Sequence, residues 1–166
     1  MTLSGGASRQ GGNDAVPRGS QAGQGADMPA FAHSNTVLFQ HCDPAGIVFY
    51  PRYFEMINAV VETFFAEAVG WSFHQMHVVE RLGVPMGRIE ADFHAASRLG
   101  DVLDWTLATA RVGGASADLV IRAACANEAR LTARGTLVMV DLDRMKSRRW
   151  PDGPRAVLER YAEDVA

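Results

Sequence analysis

The chain has 166 residues, a length that fits one domain. Hydrophobic residues make up 48% and charged residues 21%, ordinary globular usage that excludes a disordered, collagen-like or disulfide-stapled protein. The 16 basic and 19 acidic residues leave a net charge of −3, so no global basic field exists to hold nucleic acid.

Residues 1–30 contain seven of the 16 glycines and no Phe, Tyr, Trp or Ile. Such a stretch cannot bury enough apolar surface to offset its ordering entropy. This predicts a disordered tail at 1–30 and a domain at 31–166. The tail has no apolar run long enough for a signal-peptide core, and no run in the chain approaches a membrane span. Two cysteines, Cys42 and Cys125, cannot found a disulfide framework, and a reduced cytoplasmic setting is the simpler reading.

Ser34 to Gln40 reads as a short strand, with Thr36, Val37, Leu38 and Phe39 supplying β-branched and apolar character. His41-Cys42-Asp43-Pro44-Ala45-Gly46 follows as a loop, and Asp first, Pro second and Gly fourth is the signature of a type I turn. Pro51 suits the first turn of a helix. Ile57, Val60, Val61, Phe64, Phe65 and Ala68 then recur at helical spacing, and Gly70 is the predicted stop. The Phe, Val and Ile of this segment have modest helix propensity, so burial must stabilise it. Trp71 to Arg81 suggests a shorter second helix.

From Pro85 the period becomes two. Ile89, Ala91 and Phe93 alternate with Arg88, Glu90, Asp92 and His94, as in a half-buried strand. Val102 to Val112 is the next strand, with Leu103, Trp105 and Leu107 on one face. Gly113-Gly114-Ala115-Ser116 reads as a hairpin connection. Asp118 to Ala126 is a further strand, Asn127-Glu128-Ala129 a tight turn, and Leu131 to Asp141 the last strand. Pro154 to Val165 is a predicted C-terminal helix. The fold class is α+β, with one antiparallel sheet folded around one long helix.

The richest chemistry lies between His41 and Tyr53. Asp43 precedes a helix N-terminus, which presents unpaired N–H groups and partial positive charge. In a water-excluded cleft those groups stabilise an oxyanion, and the Tyr50 N–H, just before Pro51, has no earlier intrahelical partner. A carboxylate beside such a hole points to acyl transfer or hydrolysis, with Asp43 as nucleophile or general base. The competing reading is that Asp43 only closes its own turn. His41 and Cys42 do not form a catalytic pair, because adjacent side chains on extended chain point apart. His74 and His77 lack a third ligand nearby, so no metal site is expected.

The run Cys42-Asp43-Pro44-Ala45-Gly46-Ile47-Val48-Phe49-Tyr50-Pro51-Arg52-Tyr53 resembles the active-site segment of the hotdog-fold acyl-CoA thioesterases, and most of all the 4-hydroxybenzoyl-CoA thioesterase family. Val78-Val79-Glu80-Arg81, Gly83-Val84-Pro85 and Gly100-Asp101-Val102-Leu103 extend the resemblance, which covers Thr36 to Asp141. It implies a hotdog fold and hydrolysis of an acyl-CoA to free acid and CoA. It makes Asp43 the catalytic carboxylate and the Tyr50 N–H the group that polarises the thioester carbonyl. Gly46, Ile47, Val48 and Phe49 would contact substrate, with Val84 by the acyl pocket and Ser116 by the CoA. It implies no metal or redox cofactor, a homodimer or homotetramer, and an active site at the subunit boundary.

The sequence also departs from that pattern. Benzoyl-type members carry basic residues at the hairpin after the second long strand, whereas here it reads Gly113-Gly114-Ala115-Ser116, with Arg111 just before. Arg130, Arg134, Arg144, Lys146, Arg148 and Arg149 could supply charge from elsewhere or form a solvated surface. Val84 stands where a polar residue would meet a hydroxybenzoyl group, which argues against that acyl group. Two other functions fit less well. One is a thioesterase acting on acyl carrier protein; the other is a non-catalytic acyl-CoA-binding hotdog protein.

Overall fold

The computed structural model describes residues 30–162. Apart from Ala30, the tail expected at 1–30 lies outside the described residues. Strand β1 is Phe31–Thr36, displaced from the predicted Ser34–Gln40. Val37 is still buried and still bonded to the sheet through its N–H to the Asp101 carbonyl at 2.8 Å. Beyond it the chain coils into a 3₁₀ turn at Phe39–His41, and the Phe39 ring is 83% exposed. Local N–H bonds from His41 to Leu38 and from Cys42 to Phe39 replace the ladder there, overriding β propensity.

Helix α1 is Tyr50–Phe64. Its buried face is Tyr53, Met56, Ile57, Val60, Val61 and Phe64, the predicted stripe extended one turn towards the N-terminus. The helix widens into a π-helical turn at Phe65–Val69, which keeps Phe65 wholly buried, and Gly70 ends it with φ 71°. The expected second helix is a single π-helical stretch at His74–Val79.

Strands β2 (Leu82–Gly83), β3 (Met86–Phe93), β4 (Val102–Val112), β5 (Ser116–Cys125) and β6 (Glu128–Val138) follow. The turn between β5 and β6 falls at Ala126-Asn127, both at positive φ (48° and 66°), as a two-residue hairpin of this hand requires. The strand predicted as one unit to Asp141 breaks at Met139, whose N–H bonds the Ala115 carbonyl, and resumes as β7 (Val140–Asp141). A short β8 (Lys146–Ser147) was not legible in the sequence. Helix α2 is Asp152–Arg160.

The main sheet is antiparallel with strand order β1-β4-β5-β6-β3, and a small sheet runs β2-β7-β8. Leu103, Trp105 and Leu107 of β4 are buried as predicted, beside Leu119, Ile121, Leu131 and Leu137, in one core with the α1 stripe. The Phe31 and Phe64 rings meet edge-on at 5.5 Å, joining sheet to helix. β3 is an edge strand, so its expected inner face is only partly covered and Phe93 is 47% exposed. Among the described residues, no helix is long and apolar enough to cross a membrane.

Candidate active site

Asp43 opens the predicted turn. The Gly46 N–H bonds the Asp43 carbonyl at 2.9 Å, and Gly46 takes φ 75°, a conformation glycine adopts at little cost. The Asp43 N–H bonds the Ile47 carbonyl at 3.0 Å, and one carboxylate oxygen, Oδ1, accepts the Ala45 N–H at 2.8 Å. Asp43 thus closes its own turn with one oxygen, while Oδ2 has no protein partner among the described residues. The side chain is half-buried. The two readings of Asp43 are therefore compatible: the turn fixes the carboxylate and leaves an acceptor available.

The chain then runs straight into α1. Phe49 is the N-cap, with extended backbone (φ −66°, ψ 123°) and no side-chain cap. The Phe49 N–H bonds the His41 carbonyl and the Arg52 N–H bonds the Phe49 carbonyl, whereas the Tyr50 N–H has no partner among the described residues. An uncapped helix start therefore follows the Asp43 turn by a few residues, with its dipole favouring negative charge.

Beside it lies an open cleft of 300 Å³, walled by Ile47, Val48, Tyr50 and Tyr53 on one side and Phe93 to Ala96 on the other. The Tyr53 and Phe93 rings are 5.4 Å apart. A brace that the sequence did not reveal holds the walls together. The Tyr53 hydroxyl donates to Ser97 Oγ at 2.8 Å, both groups buried, and the Val48 N–H bonds the Ser97 carbonyl at 2.9 Å. The Arg130 guanidinium pairs with Glu128 at 2.7 Å and approaches Asp101 at 3.9 Å, and Asp101 Oδ2 accepts the Arg98 N–H at 2.9 Å. A hydrogen bond with the Cys125 thiol, followed by the Glu128 and Asp101 carboxylates, holds the Arg130 guanidinium above its ordinary range. Only contacts made across the tertiary fold identify Ser97 and Arg130, since neither belongs to a local motif.

Other predicted residues fall elsewhere. Val84 is buried between β2 and β3, and Ser116 begins β5. Neither lines the cleft of the same protomer. Val84 neighbours the Met86 end of β3, and Ser116 pairs with Val138 at the corresponding end of β6, while the cleft is at the Phe93 end. His41 and Cys42 do not face each other. The ring nitrogen Nδ1 accepts the Leu38 N–H, and the Cys42 thiol lies 3.8 Å from the Leu38 carbonyl. Glu80 is engaged by the Trp71 indole and the Gln75 amide. A larger cavity of 440 Å³ lies between Trp71 and Pro151, away from Asp43.

A family model described as the thioesterase-like superfamily matches residues 37–160. Sequence comparison with curated proteins finds no significant match. Among solved structures, Slr0204, a 1,4-dihydroxy-2-naphthoyl-CoA thioesterase from Synechocystis, superposes with a TM-score of 0.72 at 18% identity, over 78% of this chain and 96% of its own. A thioesterase-superfamily protein from Jannaschia gives 0.74 at 24% identity, over 81% and 94% of the two chains. The protein SAV2348 from Staphylococcus aureus, solved in complex with CoA, gives 0.74 at 14% identity, over 84% and 89%. The hotdog fold and the class of thioester hydrolases expected from the sequence are both borne out. The chain belongs to the thioesterase-like superfamily.

Proposed function

We propose that this protein hydrolyses an acyl-CoA thioester to the free acid and CoA, with Asp43 as the catalytic carboxylate. The observation that carries the reading is the pairing of a turn-fixed Asp43, one oxygen unengaged, with the uncapped N-terminus of α1. The Tyr50 N–H receives the thioester carbonyl oxygen, and its bond strengthens as negative charge develops there. Asp43 either attacks the carbonyl carbon and, as the C–S bond breaks and CoA leaves as the thiolate, forms an anhydride that water cleaves, or takes a proton from the water whose attack expels the thiolate. Ile47 and Val48, which line the cleft, lie beside the reacting group, with Gly46 and Phe49 flanking them in the chain. No metal or redox cofactor is needed for either route. Single-turnover hydrolysis in ¹⁸O-water tests the choice: label in Asp43 supports attack, and unlabelled Asp43 excludes an anhydride cleaved at the Asp43 carboxyl.

A homodimer completes the site in this reading, and a homotetramer is two such dimers. β3 is an edge strand. The His94 N–H points to the Arg130 carbonyl of β6, so by strand alternation the Ile89, Ala91 and Phe93 N–H groups point outward. Pairing with a second β3 uses those groups and is antiparallel by two-fold symmetry. The Phe93 end of one subunit then meets the Met86 end of its partner, which brings Val84 and Ser116 of the partner subunit towards the cleft. The acyl group is aromatic or of short to medium length, in keeping with a cleft floored by Tyr53 and Phe93 and with the naphthoyl substrate of Slr0204. We place the enzyme in the cytoplasm, a reading that the free thiols of Cys42 and Cys125 support.

A further inference from the structure

An acyl-CoA is strongly anionic, yet the chain carries a net charge of −3. Its positive charge must therefore be gathered locally. Many arginines are already neutralised: Arg52 by Glu55, Arg81 by Asp143, Arg88 by Glu90, Arg130 by Glu128 and Arg155 by Glu159. Arg98, Arg111 and Arg134 also have no ion pair among the described residues but stand singly, whereas one segment concentrates its charge. Arg144, Lys146, Arg148 and Arg149 place four cations within six residues, all exposed. Only Arg144 comes near a carboxylate, Asp141 at 4.0 Å. Among the described residues, Lys146, Arg148 and Arg149 have no acidic partner.

The fold fastens this segment in one place. Lys146 and Ser147 form β8, the Arg148 N–H bonds the Met139 carbonyl at 2.9 Å, and the Trp150 N–H bonds the Gly114 carbonyl at 3.0 Å. The buried Trp150 indole also donates to the Ser116 carbonyl at 3.1 Å. The cations are thus held beside the Gly113–Ser116 hairpin, which has no basic side chain of its own. The whole group sits at the Met86 end of the sheet. The cleft is at the Phe93 end, and the eight residues of β3 put the two about 23 Å apart within one protomer. Antiparallel pairing of two β3 strands closes that separation across the subunit boundary.

We propose that Lys146, Arg148 and Arg149 form the phosphate-binding strip for the CoA part of the substrate, presented by one subunit to the cleft of its partner. The inference rests on the acyl-CoA reading above. It assigns the strip the selection of CoA over shorter pantetheine thioesters, since pantetheine lacks the diphosphate and the ribose phosphate. Arg148 and Arg149 offer forked donors that match phosphate oxygens, and Lys146 adds a point charge.

Two measurements test it. The first compares kcat/KM for benzoyl-CoA, benzoyl-pantetheine and benzoyl-acyl carrier protein. Wild type should prefer the CoA ester to the pantetheine ester, and Arg148→Ser/Arg149→Ser should lower that preference by about tenfold per arginine. Added salt should lower the wild-type preference in the same direction. The second co-expresses Asp43→Asn subunits with Arg148→Ser/Arg149→Ser subunits. Mixed dimers should regain about half of the wild-type benzoyl-CoA activity, because one site then has an intact Asp43 facing an intact strip. An unchanged preference in the double variant overturns the strip. So does a loss confined to the carrier-protein ester, which would make the strip a protein-docking surface. Mixed dimers that stay impaired overturn its action across the boundary. A wild type inactive on every thioester sinks the acyl-CoA reading instead.

Discussion

Replacing Asp43 with asparagine separates its part in the turn from its proposed part in the chemistry. The Oδ1 atom accepts the Ala45 N–H at 2.8 Å, and an asparagine oxygen can accept the same bond. The acceptor loses its charge, which about halves a charge-assisted bond, so the cost to folding should stay below about 1 kcal/mol at this half-exposed site. For a domain of this size that is a fall in Tm of no more than about 3–5 °C. Alanine removes the bond altogether and should cost about 1–2 kcal/mol. The chemistry behaves differently. Asparagine can neither attack a thioester nor accept a proton from water, so both variants should lose on the order of 10²–10⁴ in kcat. The assay is thiol release followed spectrophotometrically over an acyl-CoA series, alongside thermal unfolding of the same samples. Near-normal hydrolysis by Asp43→Asn would refute the catalytic assignment. An asparagine variant as unstable as the alanine variant would refute the division of labour between the two oxygens.

Tyr50→Pro removes the N–H proposed as the oxyanion donor together with the ring that walls the cleft, so Tyr50→Ala, which keeps the N–H, is the control for the ring. Proline is tolerated at a helix start, and the extended Phe49 backbone already suits a following proline, so the fold should hold while kcat falls about 10²–10³-fold; an unchanged kcat would move the oxyanion hole elsewhere. Tyr53→Phe leaves the buried Ser97 hydroxyl without its partner and should cost about 1–3 kcal/mol in denaturant unfolding, with an unaltered midpoint counting against the brace. Gly46→Ala meets no atom within 4 Å, so its cost, about 1–2 kcal/mol, should come from the positive φ alone. Ala91→Pro removes an outward N–H from β3 and leaves the β6 ladder intact, a substitution that edge strands accept. It should shift the oligomer to monomer in analytical ultracentrifugation and lower activity with it, and a stable dimer would exclude β3 as the joint.

The helix and the site loop were legible because both are local. Ile57, Val60, Val61 and Phe64 announce α1 through spacing alone, and Gly70 announces its end through a conformation few other residues accept. The Asp43–Gly46 turn follows from its own residue types, whose short-range hydrogen bonds need no partner from afar. What failed locally did so where neighbours decide. Leu38 and Phe39 have strand-forming side chains, but the chain leaves the ladder after Val37 and they turn out to solvent. The strand predicted to Asp141 breaks because Met139 is taken by the β4–β5 hairpin.

The local frame of the proposed site was already written in the sequence: the Asp43 turn, the helix start at Tyr50 and the apolar stripe behind them. That is because turn geometry, capping and periodicity act over short distances. What surrounds them was settled by long-range pairing and packing. These set Ser97 and Arg130 as braces, left β3 at an edge, and sent Val84, Ser116 and the basic segment to the far end of the sheet. Those placements depend on pairings between residues tens of positions apart, which strand register fixes and local propensity does not.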